Sequence, residues 1–450
     1  MSDTIKIKKG LNIRLQGKAE KILTKARKAE LYAVKPTDFH GITPKLSVKV
    51  DDKVKAGSVL FFDKARPEIK FTSPVSGVVQ LINRGERRKI LEVIIKPDET
   101  TEYVNFKKAD PSGMSREEIQ RNLLESGIWP VIRQRPYNII AHPSDTPKAI
   151  FISAFDTAPL APDYDYLMKE MEKEFQTGID ILSNLTDGKV HLNICSDYTT
   201  STIFTRTKGV QLNKFAGPHP AGNVGVQIQR IDPINKGELI WVISPQDVAI
   251  IGRLFLTGQY DASKIVALTG SEISNPKYYK IIGGACIQSI TGENVKEGDV
   301  RYISGNVLTG TRVSQRGFLG FYDSQVTVIP EGNHYEFMGW LAPGFRKFSL
   351  SRAFWSWLFL GREYRIDTNL HGGKRALMIT GNFERVFPMD IYPMQLIKAI
   401  IIEDIDLMEK LGIYEVVEED FALCEFIDTS KTDIQAIVRK GLDLMIKEMS

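Results

Sequence analysis

The sequence predicts a multidomain α/β protein, with a small all-β unit in front, an alternating strand–helix stretch, a return to β-rich sequence and a helical end. Three observations lead there. Residues 10 to about 97 fall into short strands separated by turn signals every eight to twelve residues. From about 148, apolar strands alternate with stretches of helical spacing, the pattern of βαβ units around a parallel sheet. From 384 onward, Leu396, Ile397, Ile400 and Ile401, then Ile405 and Met408, and finally Ile434 to Met445 recur at helical spacing.

In the front unit the strands expected are Lys45–Val50, Val59–Phe62, Val75–Ile82 and Ile90–Ile95, separated by Asp51-Asp52, Lys55-Ala56-Gly57 and Asn83-Arg84-Gly85. Ser115-Arg-Glu-Glu118 is a capping box that opens a helix with Ile119, Leu123 and Leu124 as its stripe, and Gly127 stands at the stop position. Prolines at 130, 136, 143, 147, 159 and 162 exclude a continuous helix after it. Ala149–Ala154, Val190–Ile194, Leu239–Ser244 and Ile265–Leu268 read as strands. Leu167, Met171, Phe175, Ile179 and Leu182 mark one helix and Asp247–Leu256 another. Between 270 and 330 the sequence is β-rich again, notably at Val300–Gly305 and Leu319–Ile329.

The 450 residues suffice for two to four domains without covalent staples. Hydrophobic residues at 42% and charged residues at 25% are ordinary for a globular protein and exclude disordered and fibrous classes. The start of the chain lacks the apolar core of a signal peptide, and the longest nearly unbroken apolar run, Ala353–Leu360, falls far short of the roughly 20 residues a spanning helix needs. Cys195, Cys286 and Cys424 lie far apart, which argues for a reducing compartment and against a four-cysteine cluster or zinc site. Charge is uneven: residues 1–100 carry 22 Lys/Arg against 12 Asp/Glu, whereas residues 401–450 carry 5 against 13. These are either ordinary solvated faces or a basic front turned toward an anionic surface or acidic partner.

Four constellations bear on chemistry. Pro44–Leu60, Asp63-Lys64-Ala65 and Ser73-Pro74-Val-Ser-Gly77 resemble a biotinyl/lipoyl-type barrel-sandwich domain, in whose carriers a Lys on the hairpin tip is acylated. Lys64 matches that position, but Phe61-Phe62 and the long stretch Arg66–Thr72 depart from the carrier pattern, so an unmodified docking module is expected. Gly217-Pro-His219-Pro-Ala-Gly222-Asn223-Val-Gly225 is the chain's nearest approach to a phosphate cradle, for neither GxGxxG nor GxxxxGK[ST] occurs. It is either a proline-braced turn or a candidate ligand loop, in which Gly217, His219, Gly222 and Asn223 offer backbone amides and one imidazole. The stretch Leu377–Pro388 keeps the glycine and proline of a ferredoxin cluster motif, but its ligand positions hold Leu377, Thr380, Phe383 and Phe387, and a second trace at Glu418–Asp428 keeps only Cys424. Aromatic residues at Phe337–Trp340 and Phe345–Phe359, beside Arg346, Lys347 and Arg352, form either core or a contact surface for a partner or membrane. No nucleic-acid motif is present.

Several stretches together resemble one family, the A subunits of the bacterial sodium-translocating NADH:quinone oxidoreductase. They are Gly10–Ile13, Phe71–Gly77, Arg84–Arg88, Ser126–Trp129, Arg133–Tyr137, Gly217–Gly225, Gln246–Gly258 and Glu384–Pro393. More distantly, the order of domains resembles the C subunit of the Rnf complex and the flavin-carrying subunit of respiratory complex I. The resemblance implies a biotinyl/lipoyl-like β-domain (1–100), a Rossmann-like α/β domain (101–256), a ubiquitin-like β-grasp domain of SLBB type (257–330), an aromatic-rich connection (331–383) and a helical, degenerate ferredoxin-like domain (384–450). It also implies a peripheral subunit on the cytoplasmic face of the bacterial inner membrane, in a six-subunit complex that oxidises NADH, reduces ubiquinone or menaquinone and exports Na+. The expected partners are the five other subunits, the FMN-bearing membrane B subunit first, and quinone. FAD, FMN, riboflavin and the [2Fe–2S] centre belong to other subunits of the family's complex. In this chain Ser126-Gly-Ile-Trp-Pro130 stands where a Gly-rich flavin loop is expected. No catalytic, cofactor-binding or metal-binding residue is therefore assigned. The competing classes are a subunit that binds its own flavin and a lipoyl-type carrier or docking protein.

Overall fold

The alternation of strand and helix builds a seven-stranded mixed sheet at the centre of the chain. In the computed structural model, which describes residues 4–334, 336–339, 341–359 and 361–449, its strands run in the order Thr4–Lys6, Gln211–Ala216, Lys189–Cys195, Ala149–Ser153, Ile240–Val242, Arg133–Arg135 and Ile139–Ile140. The first five are parallel; Arg133–Arg135 runs against them, and Ile139–Ile140 pairs antiparallel with Arg133–Arg135. The strand Ala149–Ser153 is apolar and buried up to its last residue because helices cover both faces of a parallel sheet. Glu172–Ser183 and Pro245–Thr257 are two of these helices. They cross where Gly178 meets Gly252. A Cβ on Gly178 would stand 2.1 Å from the Val248 carbonyl oxygen, and one on Gly252 1.9 Å from that of Glu174, so only glycine permits the approach.

A second, six-stranded sheet runs Thr311–Val313, Val300–Ser304, Gln325–Pro330, Ser263–Thr269, Lys277–Ile282 and Glu20–Lys25. Two small sheets, one of four strands (Tyr32–Val34, Ile90–Pro97, Gly77–Arg84, Lys53–Val54) and one of three (Pro44–Leu46, Val59–Asp63, Lys70–Thr72), enclose Leu60, Phe61, Phe71, Val79 and Val93. Phe61 and Phe71 stack with ring centroids 4.6 Å apart. The first 25 residues pair elsewhere: Thr4–Lys6 edges the seven-stranded sheet and Glu20–Lys25 the six-stranded one. After Phe383 the main elements are the helices Phe383–Val386, Pro393–Ile401, Ile405–Lys410, Ala422–Ile427 and Ile434–Met449. Their apolar faces share one core with Ile7, Leu15, Phe155 and Phe215. Among the described residues no helix is long and apolar enough to cross a membrane.

The elements differ from the sequence expectation where turn chemistry intervenes. Of Lys45–Val50 only residues 45 and 46 are strand, within Pro44–Leu46, because the Asp52 carboxylate accepts the Lys49 N–H (2.7 Å) and Asp51 takes φ of 72°. Of Leu319–Ile329 only Gln325 onward is strand, since Gly320–Asp323 turns and Asp323 accepts the Ser304 hydroxyl at 2.5 Å. The helix marked by Leu167 to Leu182 is two, Tyr164–Leu167 and Glu172–Ser183. Trp340 of the aromatic cluster and Leu360 of the apolar run lie outside the described residues.

Gln246 joins helix to sheet. Its amide donates to the Ile265 carbonyl (3.0 Å) and accepts the Ile265 N–H (2.8 Å), extending the ladder where strand Gln325–Pro330 does not reach. Replacing it (Gln246→Leu) leaves two buried backbone groups unpaired, so chemical denaturation is expected to show a loss of about 2–4 kcal/mol with the secondary structure retained.

Candidate functional site

In an open α/β sheet the natural ligand site is outside the carboxyl ends of the parallel strands, where the strand order reverses. Here the reversal is at Ala149–Ser153, flanked by Lys189–Cys195 on one side and Ile240–Val242 on the other. The buried polar groups at these ends bond to one another. Asn213 donates to Asn193 (2.9 Å), Asn193 to Gln227 (2.8 Å), Gln227 to the Ser153 hydroxyl (2.8 Å), and Ser153 to the Gly222 carbonyl (3.0 Å). The register that sets Asn193 opposite Asn213 starts this chain.

The loop Gly217–Gly225 lies across these ends and leads into helix Val224–Ile231. Its amides are spent internally: His219 N–H donates to the Asn12 side chain (2.9 Å), Ala221 to the Pro218 carbonyl (2.9 Å), Gly222 to the Thr157 hydroxyl (2.9 Å) and Asn223 to the Pro220 carbonyl (2.9 Å). Open amides, expected from the glycines, are therefore not found at these four positions. Gly222 is glycine for space, since a Cβ there would be 2.6 Å from the Thr157 nitrogen. Gly217 takes φ of 140° with a Cβ position 2.3 Å from the Ile7 carbonyl oxygen. His219 is 4% exposed, and burial pushes its imidazole down to about 4. Thr157 Oγ1 accepts from Gly222 N–H and lies 3.1 Å from His219 Nδ1, a pair in which the tautomer of the neutral ring decides which atom donates.

Asn223 reaches the helical end, its side-chain amide donating to the Glu419 carbonyl at 3.2 Å. Beside it, the buried Arg135 guanidinium lies between Asp420 (3.1 Å) and Glu419 (2.5 Å). A Cβ on Gly225 would be 2.3 Å from the Arg135 nitrogen and 2.7 Å from Asp420 Oδ1. Burial pushes the Asp420 carboxyl up to about 6, against the opposing pull of Arg135.

Sequence reasoning passes over a second place. A cavity of about 40 Å³, room for more than one water, lies where the small sheets, helix Pro245–Thr257 and the six-stranded sheet meet. Lys35, Asp38, Asp247, Tyr260, Lys264 and Phe321 help to line it. Lys264 donates to the Phe321 carbonyl (2.9 Å), and burial pushes its ammonium down. Asp247 takes the Ser244 hydroxyl (2.7 Å) at the helix start, and burial pushes its carboxyl up. Lys264, inside the apolar strand Ser263–Thr269, is the available signal: a lysine there has to be paired.

The remaining sequence candidates fill structural places. Phe383 and Phe387, where the sequence comparison set the ligand positions of a ferredoxin motif, are buried, and the Phe387 ring packs 4.9 Å from Phe421. Cys195, Cys286 and Cys424 are free and buried, and burial raises all three thiols. No group of acidic, His or Cys side chains among the described residues is arranged to hold a metal. Lys64 is exposed on a tip that the buried Asp63 braces by accepting from Thr43 N–H (3.0 Å) and Arg66 Nε (3.1 Å).

The His219 environment sets a pH dependence. Its folded value lies below the ordinary 6.5, so its stabilising contribution is full above about 6.5 and is lost as pH falls toward 4. Thermal unfolding followed across that window should show a His219→Ala variant losing up to about 3 kcal/mol less than the parent on acidification.

Three domain descriptions match in series: NqrA N-terminal barrel-sandwich hybrid domain over residues 5–98, NqrA second alpha/beta domain over 114–260, and NQRA C-terminal domain over 265–315. Over its whole length the chain is similar to the A subunit of the Na(+)-translocating NADH-quinone reductase of Vibrio campbellii, 37% identical over 447 residues, covering 99% of this chain and 100% of the relative. The corresponding A subunits of Pasteurella multocida (37% over 448 residues) and Yersinia pestis (38% over 449) match equally, each over 99% of this chain and 100% of its own length. The chain belongs to the family of A subunits of the Na(+)-translocating NADH-quinone reductase.

Proposed function

We propose that the chain is a peripheral, cofactor-free subunit of a membrane complex that oxidises NADH, reduces ubiquinone or menaquinone and exports Na+, and that its own part is to support the quinone step and assembly. On this reading the chain sits on the cytoplasmic face of the inner membrane among five other subunits, against the FMN-bearing B subunit, and FAD, FMN, riboflavin and [2Fe–2S] are held elsewhere in the complex. Residues 1–100 act as a biotinyl/lipoyl-like docking domain, 101–256 as a Rossmann-like domain, 257–330 as a β-grasp domain, 331–383 as the connection and 384–450 as a helical, degenerate ferredoxin-like domain.

One observation carries the proposal: the polar groups at the sheet's carboxyl ends, where a flavin phosphate would be cradled, already hydrogen-bond each other. A phosphate needs backbone N–H groups free to close on it, and four of this loop's amides have acceptors inside the fold. The aromatic replacements Phe383 and Phe387 supply no thiolate to iron. Gly217, His219, Gly222 and Asn223 accordingly work as a brace between the sheet and the helical end. Lys64 stays unmodified.

Chain purified from its own complex should be colourless, with the intact mass of the bare polypeptide. Complex lacking it should still pass electrons from NADH to an artificial acceptor while losing quinone reduction. Stoichiometric flavin, a mass increment on Lys64, or full quinone activity without the chain would each contradict the proposal.

A further inference from the structure

We propose that the exposed aromatic–cationic face built by Phe345, Trp355, Trp357 and Phe359 with Arg346, Arg352 and Arg362 is a contact for anionic lipid headgroups, so that this protein touches the membrane surface directly. The argument begins with exposure. Phe337 is 93% exposed, Trp355 58%, Phe359 51% and Trp357 47%, whereas the chain's other described tryptophans, Trp129 and Trp241, are fully buried. Three exposed rings form a cluster, Phe345 lying 5.9 Å from Trp355 and 6.2 Å from Phe359 between centroids. Contiguous exposed aromatic surface of this kind marks an interaction site rather than scattered surface apolarity.

Charge selects the occupant. Residues 337–365 hold five Lys/Arg against one Asp/Glu. Lys347 pairs with Glu336, and Arg365 with Glu272 at 2.7 Å. Arg346, Arg352 and Arg362 have no carboxylate partner among the described residues; Arg352 lies 5.9 Å from the Trp357 ring and Arg362 6.0 Å from that of Phe359. Guanidinium groups held over indole and phenyl faces, with acidic groups nearly absent, suit a plane of anionic headgroups, where aromatic rings sit at headgroup depth and the cations meet phosphate. The surface is thus a peripheral anchor. The inference rests on the peripheral-subunit reading only for the nearness of a membrane, and its test is separate from quinone reduction.

The test is flotation of the purified full chain with phosphatidylglycerol-containing vesicles and with pure phosphatidylcholine vesicles. Binding to the anionic vesicles is expected to be at least tenfold stronger and to weaken as salt rises. The combined Arg346→Gln, Arg352→Gln and Arg362→Gln variant should lose about fivefold per cation removed, and Trp355→Ser with Trp357→Ser and Phe359→Ser should lose binding to both kinds of vesicle. Melting curves check that each variant is folded, and the charge variant carries the test if the aromatic one is not. Equal flotation of parent and charge variant, or no flotation of the parent, overturns the proposal. So does a parent that ignores vesicles while the variants fail to join the complex, which identifies the face as a protein dock.

Discussion

A guanidinium buried where strand, loop and helical end meet governs how this chain is assembled. Arg135 on the antiparallel strand Arg133–Arg135 is 3% exposed, so its charge needs a carboxylate partner inside the fold. Asp420 and Glu419, nearly three hundred residues later, supply two. That requirement fixes the position of the turn Glu418–Phe421 and of the helices around it, and Arg439 of the last helix closes on Glu418 at 3.1 Å. It also explains Gly225, since any side chain there would enter the Arg135–Asp420 contact. Asp420 keeps one oxygen without a hydrogen-bond partner; burial, helped by the Glu419 charge, outweighs the arginine and lifts its carboxyl.

Once the helical end is anchored this way, the sheet's carboxyl ends are covered. Asn223 donates to the Glu419 carbonyl, and His219 reaches back to Thr157 on the loop after the central strand. The place an α/β fold ordinarily keeps for a ligand is occupied by the protein's own polar groups. The chain is basic over residues 1–100 and acidic over residues 401–450.

Local chemistry is legible in the sequence, and partnership across distance is not. The capping box at Ser115 forms as written, with Ser115 and Glu118 exchanging hydrogen bonds. The expected strands of the small sheets sit within a residue or two of the observed ones at Val59, Gly77 and Ile90. Thr4–Lys6 and Glu20–Lys25 carry no sign that they edge two different later sheets, because nothing local distinguishes an edge strand's partner. The loop Gly217–Gly225 stands out in the sequence for its glycines and prolines, yet those glycines admit protein backbone as readily as a phosphate, and only the folded chain tells these apart. Lys35, Asp38, Asp247 and Lys264 are spread over more than two hundred residues, so the cavity they line has no motif.

A double-mutant cycle on Arg135→Met and Asp420→Asn, read by equilibrium unfolding of the full chain, tests this account most directly. If the buried pair holds the helical end to the sheet, each single variant loses about 3–5 kcal/mol and the double variant no more than either single. Losses that simply add, with no coupling between the two positions, would contradict it.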